Sequence, residues 1–246
     1  MMRRFFLPNF QEPVLVGDEA YHARHVMRLK AGDTVNVFDG RGHEAHSRIT
    51  EVTKDSIHLT ILQRSGNPSL PFRIGLAQAI PKKNMDLIVQ KATELGVAVI
   101  VPLLSERTIV QLDDKSKKMD RWREIALDAC KQCGNNWLPE IQPPQKIAAF
   151  LNGSGEFDLK LVASLQPDAQ LLKGIFSNAS TLQRSASPSV LILIGPEGDF
   201  TSSELSLAKS AGCLPLSLGP LVLRADTAAL YALSILHHEL HCKTNP

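Results

Sequence analysis

The sequence has four cysteines in 246 residues, too few and too scattered to staple a small disulfide scaffold. Cys130 and Cys133 form a lone C-x-x-C, and no second pair stands at zinc-site spacing. The stretch Trp122 to Cys133 reads as an amphipathic helix on which the two sulfurs share a face. That pair is therefore read as structural, and no metal is expected. No apolar run reaches the roughly 18 residues that a membrane span requires. The opening Met-Met-Arg-Arg-Phe-Phe-Leu-Pro has a basic start, but Pro8, Asn9 and Gln11 break its apolar run. It is too short for a signal-peptide core, and a cytoplasmic location is expected. Neither G-x-G-x-x-G nor a P-loop occurs, which disfavours dinucleotides and nucleoside triphosphates. Charge of one sign is lacking too. A formal net charge of +2 neither demands nor excludes a nucleic-acid partner.

What is present is an ordinary apolar fraction, 43%, enough for a real core. Residues 1–70 carry short alternating runs: Val14-Leu-Val, Thr34 to Phe38, Ala45 to Thr50, and Ser56 to Leu62. Gly32-Asp33, Asp39-Gly-Arg-Gly42 and Lys54-Asp55 punctuate them as turns. One helix is predicted among them, from Glu19 to Leu29. Several short strands at close spacing suggest a small β-barrel. Ser65 to Pro71 reads as a linker.

From Phe72 onward the rhythm changes. Strands are predicted over Arg73–Ile80, Val97–Leu104, Leu159–Leu165, Val190–Ile194 and Cys213–Leu218. Helices are predicted over Asn84–Leu95, Asp120–Gln132, a segment from Thr201 to Ala211, and Thr227–His241. Thr201-Ser-Ser-Glu204 is a capping box. Strands alternating with helices argue for an α/β domain with a largely parallel sheet. The Ser-rich stretch 174–189 reads as a loop of low order.

Two apolar runs end in Gly/Pro turns, at Gly195-Pro-Glu-Gly198 and Gly219-Pro220. In open α/β sheets ligands sit beyond the carboxyl ends of strands. These turns are read either as plain connections or as walls of a site that holds a ligand through backbone atoms. Asp226 is either a helix cap or a site carboxylate. Arg224 is either a surface ion-pair partner or a site cation. Arg3-Arg4-Phe5-Phe6 and His22-Ala-Arg-His-Val-Met-Arg28 interleave cations with aromatic and apolar groups, as an RNA-docking surface does. Against that, residues 1–70 hold nine Lys+Arg and eight Asp+Glu, a difference of only +1. A solvated face with Phe5 and Phe6 in the core explains the same pattern. Lys82-Lys83 and Lys115 to Arg123 add cations further on.

Taken in order, these stretches resemble the bacterial RsmE family of methyltransferases, which act on N3 of a uridine in 16S ribosomal RNA. The resemblance is carried by Arg3-Arg-Phe-Phe, His22 to Leu29, Met85 to Gly96, Ser105-Glu-Arg-Thr, Leu138-Pro-Glu-Ile141, Ile194 to Gly198, and Leu218 to Ala229. It implies a SPOUT-type α/β domain at residues 72–246 with a deep trefoil knot, and a PUA-like RNA-binding β-barrel at residues 1–70. It also implies S-adenosylmethionine (SAM) as cofactor, a homodimer, and the small ribosomal subunit as partner.

On the same ground the cofactor would be lined by Leu165, Ile194, Gly195, Glu197, Gly198, Leu218, Gly219, Leu223 and Arg224, with Thr227 nearby. Catalysis would fall to Arg224, with Asp226, Glu197 or a water as the base. RNA would meet Arg3, Arg4, His22, Arg24, His25, Arg28, Lys82, Lys83 and Arg107. Asp199 stands where the family usually has glycine, and Asp226 where it usually has glutamate. Lys131, Cys133 and Asn135 also depart from the family pattern. Two other functions fit the same scaffold: a non-catalytic RNA-binding assembly factor, and a methyltransferase acting on tRNA.

Overall fold

A computed structural model describes residues 3–108, 115–154, 157–179, 182 and 185–244. The chain divides into two compact units, Met1–Ser69 with Leu127–Leu138, and Leu70–Ala126 with Pro139–Pro246.

The first unit is a mixed five-stranded sheet. Its strands are β1 (Arg4–Phe6), β2 (Val14–Val16), β3 (Thr34–Phe38), β4 (His43–Val52) and β5 (Ser56–Gly66). The spatial order is β1-β3-β4-β5-β2, with β1 parallel to β3 and the other pairs antiparallel. Register shifts between β4 and β5 at His46/Ser47 and Ile49/Glu51 add the local bend that bulges bring. Alternation puts Phe5, Leu15, Val35, Val37, Ile49 and Ile57 into one buried core, as a two-residue period requires.

The helix expected from Glu19 to Leu29 is shorter. It starts at Gly17, runs as α1 (Gly17–Tyr21), and widens into a π-helical turn over His22–Val26. Within that turn the Met27 N–H reaches back to the His22 carbonyl at 3.0 Å. Arg28 then takes φ 53°, a left-handed conformation that no helix continues through.

Arg4 corrects one expectation. It is 4% exposed, so its guanidinium cannot meet RNA. Nη1 donates to the Cys130 carbonyl at 2.6 Å, and Nη2 donates to the Asn135 carbonyl and to Asn136 Oδ1. The cation also lies 4.1 Å from the Phe38 ring centroid and 3.8 Å from Glu44. Cys130 itself is buried, and that burial pushes its thiol up to about 12.

The second unit is a parallel sheet covered by helices. Its elements are β6 (Arg73–Ala79), α2 (Met85–Glu94), β7 (Val99–Leu104), α3 (Lys115–Cys133, which belongs to the first unit from Leu127 on), β8 (Glu140–Ile141), β9 (Gln145–Lys146), α4 (Ile147–Gly153), β10 (Leu159–Ala163), α5 (Leu172–Asn178), β11 (Ser189–Ile194), α6 (Ser202–Ser210), β12 (Cys213–Leu216) and α7 (Ala225–Thr244). Strand order is β12-β10-β11-β6-β7-β8, with β9 also on β7. Every residue of β11 is buried, which explains its unbroken Val-Leu-Ile-Leu-Ile run.

Residues 172–178 form α5 rather than the start of the Ser-rich loop. Residues 180, 181, 183 and 184 of that loop lie outside the described ones. Helix α4 gave no clear sequence signal, being only seven residues long.

Beyond the end of β10 the chain makes an arc. The Ser164 N–H donates to the Leu216 carbonyl at 3.0 Å, on the β10 side of β12. Six residues later, Gln170 pairs with Leu216 as an isolated parallel bridge. The Gln170 N–H donates to the Pro215 carbonyl, and the Ser217 N–H to the Gln170 carbonyl. Leu216 is thus held on both sides by one loop.

Candidate active site

Three loops leave the carboxyl ends of β10, β11 and β12, and together they line a cavity of about 240 Å³. This is the crevice position expected of a parallel sheet. The first loop gives Ala163, Ser164 and Leu165, the second Ile194 to Asp199, and the third Leu218, Gly219 and Leu221 to Leu223. Ala225 and Ala228, from the start of α7, close the floor. Their small side chains leave room that a longer residue would fill. Eight of the residues expected around a cofactor are brought together here: Leu165, Ile194, Gly195, Glu197, Gly198, Leu218, Gly219 and Leu223. Arg224 and Thr227 are exposed and lie outside the lining, although both neighbours of Arg224 belong to it.

Two glycines are required by geometry. A Cβ on Gly195 would sit 2.9 Å from Asp199 Oδ1 and 3.1 Å from the Phe200 nitrogen. Gly219 has φ +109°, a region that other residues rarely enter.

The rim is organised by hydrogen bonds that the sequence did not announce. Glu197 Oε1 accepts the Lys82 N–H at 2.8 Å. Asn84 Nδ2 donates to Asp226 Oδ2 at 2.7 Å, and Asp226 Oδ1 accepts the Thr227 N–H at 2.8 Å. The four-residue segment Pro81–Asn84 therefore grips both acidic candidates. Asn84 and Thr227 hold the Asp226 carboxyl below the ordinary carboxylate range. Asn84 sits at φ 69°, a conformation asparagine tolerates better than most residues. Its only signal in the sequence was its place at the start of a predicted helix.

Arg107, expected to face RNA, donates through its guanidinium to the Gly198 carbonyl. Its loop is fixed by Glu204, whose Oε1 accepts the Glu106 N–H at 2.8 Å. Glu204 also completes the predicted capping box with Thr201. Lys82 and Lys83 are exposed.

In the first unit the remaining cations differ in their freedom. The Arg3 guanidinium pairs with Asp33 at 3.5 Å. Arg24 donates to the Lys54 carbonyl at 2.7 Å. His22 is half-buried, 6.0 Å from the Phe5 ring. His25 is exposed, with its ring 4.6 Å from Tyr21, and Arg28 is exposed. Among the described residues no group of His, Cys, Asp and Glu could hold a metal ion.

Residues 68–237 match the family model of the RNA methyltransferase domain, and residues 15–62 that of the RNA methyltransferase PUA domain. The chain belongs to this RNA methyltransferase family. The enzyme is 31% identical to the ribosomal RNA small subunit methyltransferase E of Bacillus subtilis, with 97% of each chain covered. A methyltransferase of Legionella pneumophila, solved in complex with SAM, superimposes with TM-score 0.86 at 34% identity. That alignment covers 97% of this chain and 98% of the other. The ribosomal RNA small subunit methyltransferase E of Neisseria gonorrhoeae, also solved with SAM, gives TM-score 0.83 at 31% identity, over 97% and 98%.

Proposed function

We propose that the enzyme uses SAM to methylate N3 of a uridine in 16S ribosomal RNA. The observation that carries this reading is the three-loop cavity. Its walls suit SAM chemically. Leu165, Ile194, Leu218 and Leu223 offer apolar surface for an adenosine and thioether skeleton. The glycine turns bring backbone N–H and C=O groups close enough to read an adenine edge. The Asp199 carboxylate supplies negative charge for a cationic ligand.

SAM, when bound, supplies an activated methyl group and leaves as the neutral thioether. The protein's part is positioning and charge control. A uridine must lose its N3 proton before that nitrogen attacks, and negative charge then spreads onto the flanking carbonyl oxygens. Arg224, between two cavity-lining residues, is assigned to stabilise that charge. Of the acceptors considered for the proton, Asp226 is the weakest, because Asn84 and Thr227 hold it ionised. Glu197 or a water at the rim takes that role, and Asp226 fixes the Pro81–Asn84 segment against the start of α7.

The Asn84 contact has a consequence of its own. Asn84→Ala should lower the methyl-transfer rate about three- to tenfold, the scale of one lost hydrogen bond. The Asp226 carboxyl should titrate higher than in the parent, as carboxyl NMR would read. An unchanged titration would remove the segment's assigned role.

The SPOUT-type trefoil knot belongs to the same proposal. It is supported by the arc of residues 164–170, which holds Leu216 on both sides. A threaded chain requires residues 217–224 to leave β12 inside that arc on their way to α7. Such threading is rare among folds. We further propose a cytoplasmic homodimer. Leu221 and Val222 support the dimer, because they line the cavity yet are 72% and 79% exposed. An apolar rim of this kind calls for cover.

The test is methyl transfer from labelled SAM to small subunits and to free 16S RNA, with the product nucleoside mapped by mass spectrometry. N3-methyluridine is expected. A methyl on another atom would correct the substrate. SAM binding without transfer to either RNA would favour tRNA as the substrate. No measurable SAM affinity would leave only an RNA-binding factor.

A further inference from the structure

Asp199 combines three properties that turn chemistry alone does not require. It lines the cavity. It holds φ 60°, a backbone conformation that is strained for a residue with a side chain. Its carboxylate is held at the turn, since Oδ1 accepts the Phe200 N–H at 2.7 Å. A glycine would satisfy the same turn without strain and without a half-buried charge.

We propose that Asp199 is a specificity-determining residue, which makes the cavity prefer the sulfonium cofactor SAM over its product S-adenosylhomocysteine. The two ligands share their adenosine and amino-acid parts. They differ by one methyl group and one positive charge, on sulfur. A fixed anion in the cavity wall discriminates between them by that charge, and so favours release of the spent cofactor. The proposal rests on the reading that this cavity holds SAM.

The local charges are consistent with an anion seeking a partner. Burial raises the Asp199 carboxyl above the ordinary range. The Phe200 N–H and then the Arg107 charge oppose that rise, while Glu204 adds to it. Glu197 is the other ionisable side chain in the lining. A cationic ligand relieves the half-buried anion and a neutral one does not. SAM affinity should therefore weaken as pH falls through the Asp199 titration, more steeply than product affinity does.

The test is calorimetry of SAM and of S-adenosylhomocysteine with the full chain and with Asp199→Asn and Asp199→Gly. Asparagine tolerates the left-handed backbone, and glycine relieves it, so both variants should keep their melting temperature. The expected result is a fall of about tenfold in the SAM-to-product affinity ratio, with product affinity changed less than twofold. An unchanged ratio in both variants overturns the proposal. So does an equal loss of both ligands, which would make Asp199 a shaping residue only. Ala228→Phe, with the more exposed Val222→Trp as a second blocking variant, tests the cavity itself. Both should abolish binding of both ligands. If both bind as the parent does, the cavity reading fails and the proposal with it. If they block binding while the Asp199 variants keep the parent ratio, only the proposal fails.

Discussion

Arg224→Ala should lower the methyl-transfer rate roughly 10²–10³-fold, the range seen when one donor to a developing anion is removed. SAM affinity should change little, because Arg224 stands outside the cavity lining while Leu223 and Ala225 face in. The melting temperature should hold, because the side chain is exposed. This combination separates a transition-state role from cofactor binding. If Arg224 only held the cofactor, calorimetry would register the loss. Arg224→Lys keeps the charge but not the planar fork of donors, and should recover only part of the rate. Full activity in Arg224→Ala, with an unchanged melt, would sink the assignment.

The second large effect concerns stability. Arg4→Met should destabilise the first unit by about 3 kcal/mol or more, because it strands three acceptors and leaves Glu44 without its nearby cation. A unit of this size loses about 4–8 °C per kcal/mol, so its thermal transition should fall by more than about 10 °C. An RNA-contact role predicts the opposite pattern, weaker RNA binding with an unchanged melt. Burial already holds the Arg4 guanidinium below its ordinary range. That reflects desolvation resisted by Glu44, and the group stays charged at any ordinary pH.

Arg4 also shows where sequence reading reached its limit. Its neighbours Arg3 and Phe5 alternate with it in and out of the sheet, and a two-residue period alone places Arg4 and Phe5 on opposite faces. The residues that bury Arg4 lie some 130 positions away, at Cys130, Asn135 and Asn136. No local pattern carries such a pairing. The parallel sheet was legible because central strands such as β11 are unbroken apolar runs ended by glycine turns. The glycine turns of the cavity were visible for the same reason, but their pattern left a plain connection and a ligand wall equally open. The Pro81–Asn84 grip on Glu197 and Asp226 was not, since it joins loops more than 100 residues apart. Short helices such as α4 failed for want of enough turns to show a period.

The hold on Arg4 bears on modularity. Its acceptors come from residues 127–138, which the chain reaches only after building two strands of the second sheet. The first unit is therefore not a cassette that ends near residue 70. A gene segment cut there would carry a buried cation stripped of its acceptors. Such a unit cannot be traded between proteins by simple end-to-end fusion, and any recombination of this architecture must carry both segments together.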